Sequence, residues 1–368
     1  MSFLRVGDLL GRPCPWLSSP GSEGAVVLSS RIRLARTWTA YPFHRKLSRA
    51  RQDELTTHLV DHLLAAVPGS VAFTMASLDE QERTALVERQ MISRELAAAK
   101  RPGAVVLAER PGVVIAAMVN EEDHLRLQVI GPGLNLSRPL EQAVAIDQAL
   151  EKQLSWAVHP RLGYLTACHT NVGTGLRASC MLHLPALAET GELKQVLRAL
   201  AALHMAVRGD HGEGSEAVGH CYQISNARSL GRDEGWYAVS IHEAVGRIAQ
   251  AELLARRQML AKARSRLEDK VFRAWGLLSA ARRLTTEELA AELSWLRLGT
   301  ALDVLDQSTW AIPTDQRWRI LDQLALWPQP AHLQVLSGAT LEPPERDERR
   351  ASLVRALLAG HTPDFPRN

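Results

Sequence analysis

Two arginines alternate with apolar residues along a segment that has the pattern of a β-strand. Arg31 and Arg33 lie two residues apart in the segment SSRIRLAR, and side chains at positions i and i+2 of a strand point the same way. Two guanidinium groups side by side repel each other unless an anion lies between them. The pattern therefore predicts either an anion-binding surface or an exposed strand face whose charges are solvated.

A run of three acids follows another strand pattern. Glu121, Glu122 and Asp123 occur in the segment NEEDHLR, where they repel each other at a strand end. Such a cluster is typical of a metal site, a proton-transfer site or a solvated turn. Arg126 is expected on the same face as Glu122, either as the partner of that carboxylate or as a further anion contact.

Two segments rich in small residues are expected to form loops. The first, CHTNVGTGLRAS, contains Cys168 and Arg177, and its glycines would let backbone amides approach a ligand closely. Cys168 is either a reactive thiol or a small buried hydrophobe. In the second, RGDHGEGS, three glycines frame Glu213, so this carboxylate either closes on a substrate or lies in a plain hairpin loop.

The combination of these groups favours phosphoryl transfer. In such sites positive groups surround the phosphates, a metal bridges them, and a carboxylate orients the nucleophile. Neither loop contains the Gly-Lys-Ser/Thr ending of a Walker loop, so arginines would have to neutralise the phosphates. The arginines concerned are Arg31, Arg33, Arg126, Arg177 and Arg208, and the carboxylates are Glu122 and Glu213.

The elements that must position these groups follow from hydrophobic periodicity. Alternating or β-branched runs predict strands at residues 25–36, 104–110, 113–119 and 125–130. Apolar residues at three- and four-residue spacing predict helices at residues 49–66, 79–90 and 140–157, and through most of the chain after 240. The sequence thus predicts an α+β fold, an antiparallel sheet with flanking helices, followed by an all-α C-terminal domain.

Length and composition limit the organisation of the chain and the class of protein. At 368 residues and 40.5 kDa, we expect an N-terminal arm over 1–23, a catalytic domain over 24–239 and a helical domain over 240–368. A net charge of +3 disfavours non-specific nucleic-acid binding. Four scattered cysteines predict neither a disulfide framework nor a zinc site, and they fit a reducing cytoplasm. The sequence has no secretory leader pattern and no apolar run of ~18 residues, so no membrane span is expected.

Five segments occur in one order over residues 24–240: SSRIRLAR, VNEEDHLRLQ, GYLTACHTNVGTGLRASCMLHLPAL, AVRGDHGEGSEAVGH and YQISNARSLG. Together they resemble the signatures of the ATP:guanido phosphotransferase (phosphagen kinase) family, and most closely its bacterial protein-arginine kinase branch. LEDKVFRAWGLL and RDERRA extend the resemblance into the helical region. The resemblance implies a phosphagen-kinase-like catalytic domain that uses ATP and Mg²⁺, with the metal held through the ATP phosphates and not by protein ligands.

The resemblance also implies roles for residues at matching positions. Glu122 resembles the family's catalytic carboxylate, Glu213 its partner on a mobile loop, and Cys168 its active-site cysteine. Gln90 stands where many relatives have a histidine near the adenine, so no nucleotide contact is assigned there. The implied ATP-binding residues are Ser29, Ser30, Arg31, Ile32, Arg33, Arg126, Arg177, Ala178, Ser179, Cys180, Met181, Arg208, Gly209, Asp210, His211, Gly212 and Glu213.

Proteins are the implied substrate. Relatives that act on small guanidino compounds have an additional N-terminal helical domain, and the first signature here begins at Ser29, which leaves no room for one. The expected activity is therefore transfer of the ATP γ-phosphate to protein arginine side chains. A kinase of free arginine or another small guanidino compound is one alternative, and a non-catalytic phosphoarginine-binding adaptor is another.

The helical region carries a second implied site. RDERRA resembles the motif that binds phosphoarginine in this branch, with Arg346, Asp347, Arg350 and Ala351 as an allosteric site. The family further implies a homodimer, a stress-response transcriptional repressor and a zinc-finger activator as partners, and a Clp protease that degrades the marked proteins. Neither nucleic acid nor a membrane is an expected partner.

Overall fold

A computed structural model of the chain describes residues 5–17, 24–209 and 218–361. Its centre is an antiparallel sheet of eight strands in the order β2-β3-β4-β5-β1-β8-β10-β9, and β6 and β7 form a separate small hairpin. The strands are β1 Val27–Arg36, β2 Val71–Thr74, β3 Ala104–Arg110, β4 Val113–Val119, β5 Leu125–Pro132, β6 Val158–His159, β7 Gly163–Tyr164, β8 Leu176–His183, β9 Met205–Gly209 and β10 Cys221–Asn226. The antiparallel sheet and its β3-β4-β5 meander are confirmed.

Thirteen α-helices accompany the sheet within the described residues. The first seven precede β9 and flank the sheet, and the last six follow β10. They are α1 Val6–Leu10, α2 Arg49–Ala66, α3 Glu80–Glu88, α4 Arg94–Ala97, α5 Ser137–Glu151, α6 Pro185–Glu189, α7 Leu193–Ala202, α8 Glu234–Lys262, α9 Arg264–Ala280, α10 Thr286–Ala301, α11 Thr314–Leu326, α12 Pro330–Ser337 and α13 Pro343–Leu358. The expected succession of an α+β part and an all-α part is confirmed.

One face of the sheet is apolar and covered by helices. Ile32 and Leu34 on β1 are fully buried, and Arg36, which points the same way, forms a buried ion pair with Asp147 of α5 (2.6 Å). The α5 helix therefore packs on this face. The alternate residues of β1, which include the two arginines of SSRIR, point to the opposite face of the sheet.

The long helix α8 connects the sheet with the helical region. Asp233 caps its N-terminus by accepting a hydrogen bond from the Trp236 amide (2.7 Å), and the helix then packs on β8, β10 and α9. Because α8 continues without a break from residue 234 to residue 262, the domain division predicted near residue 240 falls within this helix. The division itself stays a prediction.

The N-terminal segment is held between both parts of the molecule. Helix α1 packs on α3 and α12, and the buried Arg89 at the end of α3 donates hydrogen bonds to the carbonyls of Leu10 (3.0 Å) and Arg12 (2.8 Å). Residues 5–17 therefore contain a docked helix as well as connecting chain. Among the described helices, none is long and apolar enough to cross a membrane.

Candidate active site

The strand register gathers arginines from four strands on the face of the sheet opposite to the one on which α5 packs. Arg33 of β1 lies directly opposite Arg177 of β8, and Arg126 of β5 lies opposite Ala35, two residues further along β1. Arg208 of β9 lies opposite Gln223 of β10. Gln223 in turn lies opposite Met181 of β8, and Met181 lies opposite Ser29 of β1, so these four residues are on the same face. We call this surface, with Arg31, Arg33, Arg126, Arg177 and Arg208, the arginine face.

The arginine face is an electrostatically strained surface. Burial, reinforced by the charges of Arg177 and Arg126, lowers the pKa of Arg31 to about 10. Burial and the neighbouring arginines also lower the pKa of Arg33 well below its ordinary value, and its buried Nε has no hydrogen-bond partner among the described residues. The folded chain thus holds cations together at a free-energy cost, which a bound anion would offset.

An open cleft of about 530 Å³ lies over part of the arginine face. Residues predicted from the sequence contribute much of its wall, namely Arg33, Arg126, Arg177, Arg208, Glu122 and Cys168. Other residues of the wall were not predicted as site residues from the sequence, among them His44, Arg45, Ser93, Arg101 and Glu121. Of these, only Glu121 lay in a segment that was singled out. The others come from loops and helix ends without a distinctive pattern.

The NEED segment presents Glu122 to this cleft. Its side chain is 41 % exposed, and its Oε2 accepts a hydrogen bond from Arg126 Nη2 (2.9 Å). The neighbouring Glu121 is buried and accepts bonds from Arg126 Nη1 (2.7 Å), the Ser93 hydroxyl (2.6 Å) and the Glu122 amide (2.7 Å). The buried carboxylate therefore fixes both Arg126 and the main chain that carries Glu122.

The rest of the acidic turn is built into the fold. Asp123 is buried and accepts a bond from the Ala167 amide (2.6 Å), and burial raises its pKa to about 6. His124 bridges the Trp38 amide (3.1 Å) and the Pro42 carbonyl (3.1 Å), and burial lowers its pKa to about 4. The turn is therefore fixed by buried hydrogen bonds, with Glu122 exposed at the cleft.

Cys168 lies at the cleft wall, near the start of the loop before β8. Its Sγ is 3.0 Å from the Thr170 hydroxyl, and the side chain is partly exposed. Cys14 and Cys180 are buried, and burial raises the pKa of the Cys14 thiol to about 11 and that of the Cys180 thiol to about 12. Of the two interpretations of Cys168, the geometry favours an accessible thiol.

The glycines of the same loop serve backbone packing. A Cβ on Gly173 would lie 2.1 Å from the Ser229 carbonyl oxygen, and one on Gly175 would lie 2.6 Å from the Ala35 carbonyl oxygen. Both residues also have positive φ angles. These glycines let the loop pass close to β1 and to residue 229. The ligand approach expected from their spacing stays a prediction, and Gly175 also lines the cleft.

The remaining predicted ATP-binding residues divide between the two faces of the sheet. Ser29, Ser179 and Met181 share the register of the arginine face, and Gly209 ends β9 beside Arg208. The side chains that alternate with them point to the covered face. These are Ser30, Ile32, Ala178 and Cys180, all fully buried or nearly so. Asp210, His211, Gly212 and Glu213 lie outside the described residues.

The sequence left the role of Gln90 open. Gln90 follows α3 with a positive φ of 60°, and its main-chain carbonyl accepts a hydrogen bond from the side chain of Gln128 (2.6 Å). Gln128 lies opposite Arg33 on β5. Gln90 is therefore tied to the arginine face through its backbone.

In the helical region, the RDERRA segment forms the second turn of α13. Arg350 is buried and donates to the carbonyls of Pro328 (2.9 Å) and Leu284 (2.7 Å) and to Asp347 (2.6 Å). Ala351 is fully buried, whereas Arg346 is partly exposed. The four residues lie close together, but the guanidinium of Arg350 already has partners within the chain.

Metal-binding groups do not cluster in the described part of the chain, where no three His, Cys, Asp or Glu side chains are placed to hold one ion. The expected Mg²⁺, held through the phosphates of a nucleotide, stays a prediction. The cleft fits a polyphosphate better than a bare cation, since Arg33, Arg126, Arg177 and Arg208 contribute to its wall.

Two stretches of the chain match known families. Residues 56–255 match the ATP:guanido phosphotransferase C-terminal catalytic domain, and residues 264–367 match the protein-arginine kinase McsB C-terminal domain. A protein-arginine kinase of Halalkalibacterium halodurans is 39 % identical over 94 % of this chain and 95 % of its own length. One of Moorella thermoacetica is 41 % identical over 95 % of this chain and 99 % of its own.

Solved structures agree on the fold. A lombricine kinase superposes with a TM-score of 0.54 at 23 % identity, over 65 % of this chain and 68 % of that one. The duplicated taurocyamine kinase of Schistosoma mansoni gives a TM-score of 0.55 at 25 % identity, over 73 % of this chain and 40 % of that one. With its sheet, its two family matches and its full-length relatives, the chain belongs to the ATP:guanido phosphotransferase family, among the protein-arginine kinases.

Proposed function

We propose that this protein transfers the γ-phosphate of ATP to the guanidinium group of arginine side chains in proteins. The observation that carries the proposal is the meeting of Glu122 and Cys168 with four arginines of the arginine face at one cleft, namely Arg33, Arg126, Arg177 and Arg208. Relatives with 39–41 % identity over nearly the whole chain are protein-arginine kinases, which supports a protein substrate over free arginine.

The arginine face would bind the phosphates of ATP. Arg31 and Arg33 lie in surroundings that disfavour their charged forms, so they suit the phosphates of the nucleotide and cost no reorganisation when the anion arrives. Mg²⁺, when bound with the nucleotide, supplies further neutralisation of the phosphate charge. The residues of this chain hold the phosphates, and ATP brings the metal.

Glu122 would act on the substrate guanidinium. A guanidinium has a pKa above about 12 and is a poor nucleophile while charged. A carboxylate can orient one of its nitrogens towards the γ-phosphorus and accept a proton from that nitrogen. As the N–P bond forms, the bond from phosphorus to the bridging oxygen breaks, and ADP leaves with the electron pair.

The position of Glu122 suits an arginine presented on another protein. Its side chain is exposed at the cleft, while the buried Glu121 and Arg126 hold its main chain and one of its oxygens. By the family resemblance, Glu213 supplies a second carboxylate, and it lies outside the described residues. Two carboxylates could grip the planar substrate group from two sides.

The product distinguishes this function from its alternatives. The protein is incubated with ATP and an arginine-rich protein, and the products are analysed by mass spectrometry without acid. We expect acid-labile phosphoarginine, which is absent in the Glu122→Gln variant although that variant still binds nucleotide. Phosphate found only on serine or threonine, or ATP consumed equally well with free arginine, would contradict the proposal. Phosphoarginine binding without any transfer would instead identify an adaptor.

The finer expectations rest on the family resemblance. We propose a phosphoarginine-binding role for Arg346, Asp347, Arg350 and Ala351, and assembly of the chain as a cytoplasmic homodimer. We also propose that its marks direct proteins to a Clp-type protease in a stress response, with a transcriptional repressor as substrate and a zinc-finger protein as activator. Phosphoarginine titration of the full-length protein and sizing in solution test the first two points.

A further inference from the structure

Gln128 is a buried side chain on the arginine face, and it connects the guanidinium of Arg31 with the main-chain carbonyl of Gln90. It is 3 % exposed and lies on β5 directly opposite Arg33. Its Nε2 donates to the main-chain carbonyl of Gln90 (2.6 Å), and its Oε1 accepts from Arg31 Nη1 (3.4 Å). The orientation of the amide follows from these partners, because a carbonyl can only accept and a guanidinium can only donate.

Arg31 is held differently from Arg36 and Arg126. Arg36 pairs with the carboxylate of Asp147, and Arg126 with those of Glu121 and Glu122. The hydrogen-bond acceptors of the Arg31 side chain are neutral, the amide oxygen of Gln128 and the hydroxyl of Ser179 (3.5 Å). A neutral acceptor orients a guanidinium without cancelling the charge that attracts an anion.

Such an orienting contact matters because the surroundings repel Arg31. The charges of Arg177 and Arg126 together with burial lower its pKa to about 10, which means that the charged side chain is disfavoured where it lies. A long side chain in that situation gains by turning away from its cationic neighbours. The Gln128 dipole opposes this movement.

The other end of Gln128 is attached to a rigid part of the fold. Gln90 has a positive φ, and the two residues before it are both fixed. Arg89 donates to two carbonyls of the N-terminal segment, and Glu88 accepts the Ala331 (2.9 Å) and His332 (2.8 Å) amides at the start of α12. The Gln90 carbonyl is thus held in place by the N-terminal segment and by the helical region.

We propose that Gln128 is a positioning residue for nucleotide binding, which holds the guanidinium of Arg31 on the arginine face as an un-neutralised cation. The proposal rests on the proposed function in one respect, since it takes the triphosphate of ATP as the anion. Gln128 acts through Arg31 and needs no contact of its own with the substrate.

A Gln128→Leu variant tests the proposal, because leucine fills a similar volume and offers no hydrogen bond. We expect the Kd for ATP, measured by calorimetry, and the KM for ATP to rise about ten-fold, equivalent to about 1.4 kcal/mol, while kcat at saturating ATP changes less than two-fold. Gln334→Leu is the matched control. Gln334 is also buried, at 4 % exposure, and its amide bonds to Pro330 and Leu341, remote from the cleft.

Both leucine variants are expected to lose stability, and only Gln128→Leu is expected to lose nucleotide affinity. A second experiment combines Gln128→Leu with Arg31→Met. The double variant should bind ATP as weakly as Arg31→Met alone, because Gln128 acts through Arg31 and has no effect once Arg31 is gone. Equal ATP affinity in the two leucine variants, or additive effects with Arg31→Met, would overturn the proposal. If ATP affinity falls as expected but the wild-type protein phosphorylates no arginine, the proposed function fails and this inference stands.

Discussion

Arg33 and Arg177 face each other across the β1–β8 ladder, with both side chains on the arginine face of the sheet. Directly opposed residues in an antiparallel pair have Cβ atoms only about 5 Å apart, and like charges there destabilise a sheet. The chain nevertheless adds further arginines from β5 and β9 to the same surface. This concentration of positive charge is a cost to folding, which a bound anion would offset.

Replacing Arg33 with methionine should stabilise the protein without ligand. Its pKa is lowered in the folded state, so the charged form is disfavoured by folding, and its removal is expected to raise the free energy of unfolding by about 1 kcal/mol. The same variant should bind ATP more weakly. Urea unfolding with and without nucleotide measures both effects.

Arg36→Met provides the contrast for that measurement. Arg36 is also buried on β1, but it pairs with Asp147, so its removal strands a buried carboxylate and should lower stability by about 3–5 kcal/mol. Opposite signs are expected for the two variants. A loss of stability in Arg33→Met comparable to that in Arg36→Met would show that the arginine face carries no electrostatic strain.

Acid should destabilise the protein partly through His124. Burial lowers its pKa from 6.5 to about 4, so the unfolded chain binds more protons between these values, and the contribution of His124 to stability is lost as the pH falls from about 6.5 to about 4. A His124→Gln variant should have a shallower decline over this range. The difference between the stability profiles of the wild type and the variant gives the contribution of His124, because carboxylates with raised pKa values contribute equally to both. Parallel profiles would contradict the lowered pKa of His124.

Thiol reagents should distinguish the four cysteines. Iodoacetamide is expected to modify the partly exposed Cys168 and Cys221 and to spare Cys14 and Cys180, whose burial raises the pKa of each thiol. Modification of Cys168 should block phosphate transfer, because the adduct would enter the cleft. Peptide mapping gives the sites. A Cys221→Ala variant should remain sensitive to inhibition, and a Cys168→Ala variant that is inhibited to the same extent would refute the placement.

The two arginines of RDERRA should behave differently on substitution. Arg350→Met removes three hydrogen bonds to Pro328, Leu284 and Asp347 and should lower the free energy of unfolding by about 2–4 kcal/mol. Arg346→Ala removes a partly exposed side chain and should change stability by less than about 0.5 kcal/mol. Thermal unfolding compares them. If Arg346→Ala loses phosphoarginine binding and keeps its stability, Arg346 contacts the ligand. A loss of binding in Arg350→Met would not show contact, because that variant also loses stability.

Local patterns were sufficient to predict a substantial part of the fold. The helix predicted at residues 49–66 has these bounds in the structure, and the strands of SSRIRLAR and the β3-β4-β5 meander formed where β-branched runs predicted them. Each of these depends on the alternation or spacing of neighbouring side chains, which a sequence displays directly. The glycines of NVGTG were harder to interpret, because close backbone packing and ligand approach both require a missing Cβ.

The sequence by itself determined that Arg31 and Arg33 share one side of a strand, and that Glu122 lies in a run of three acids, since both follow from position along the chain. Only the tertiary structure decided that Arg177 lies opposite Arg33, that Glu121 is the buried anchor of the turn, and that Gln128 connects Arg31 with Gln90. It also decided that the Arg350 guanidinium donates hydrogen bonds to the main-chain carbonyls of Pro328 and Leu284. These relationships join residues far apart in sequence, and they depend on strand register and helix packing, which are set by the burial of the whole core and not by any local pattern.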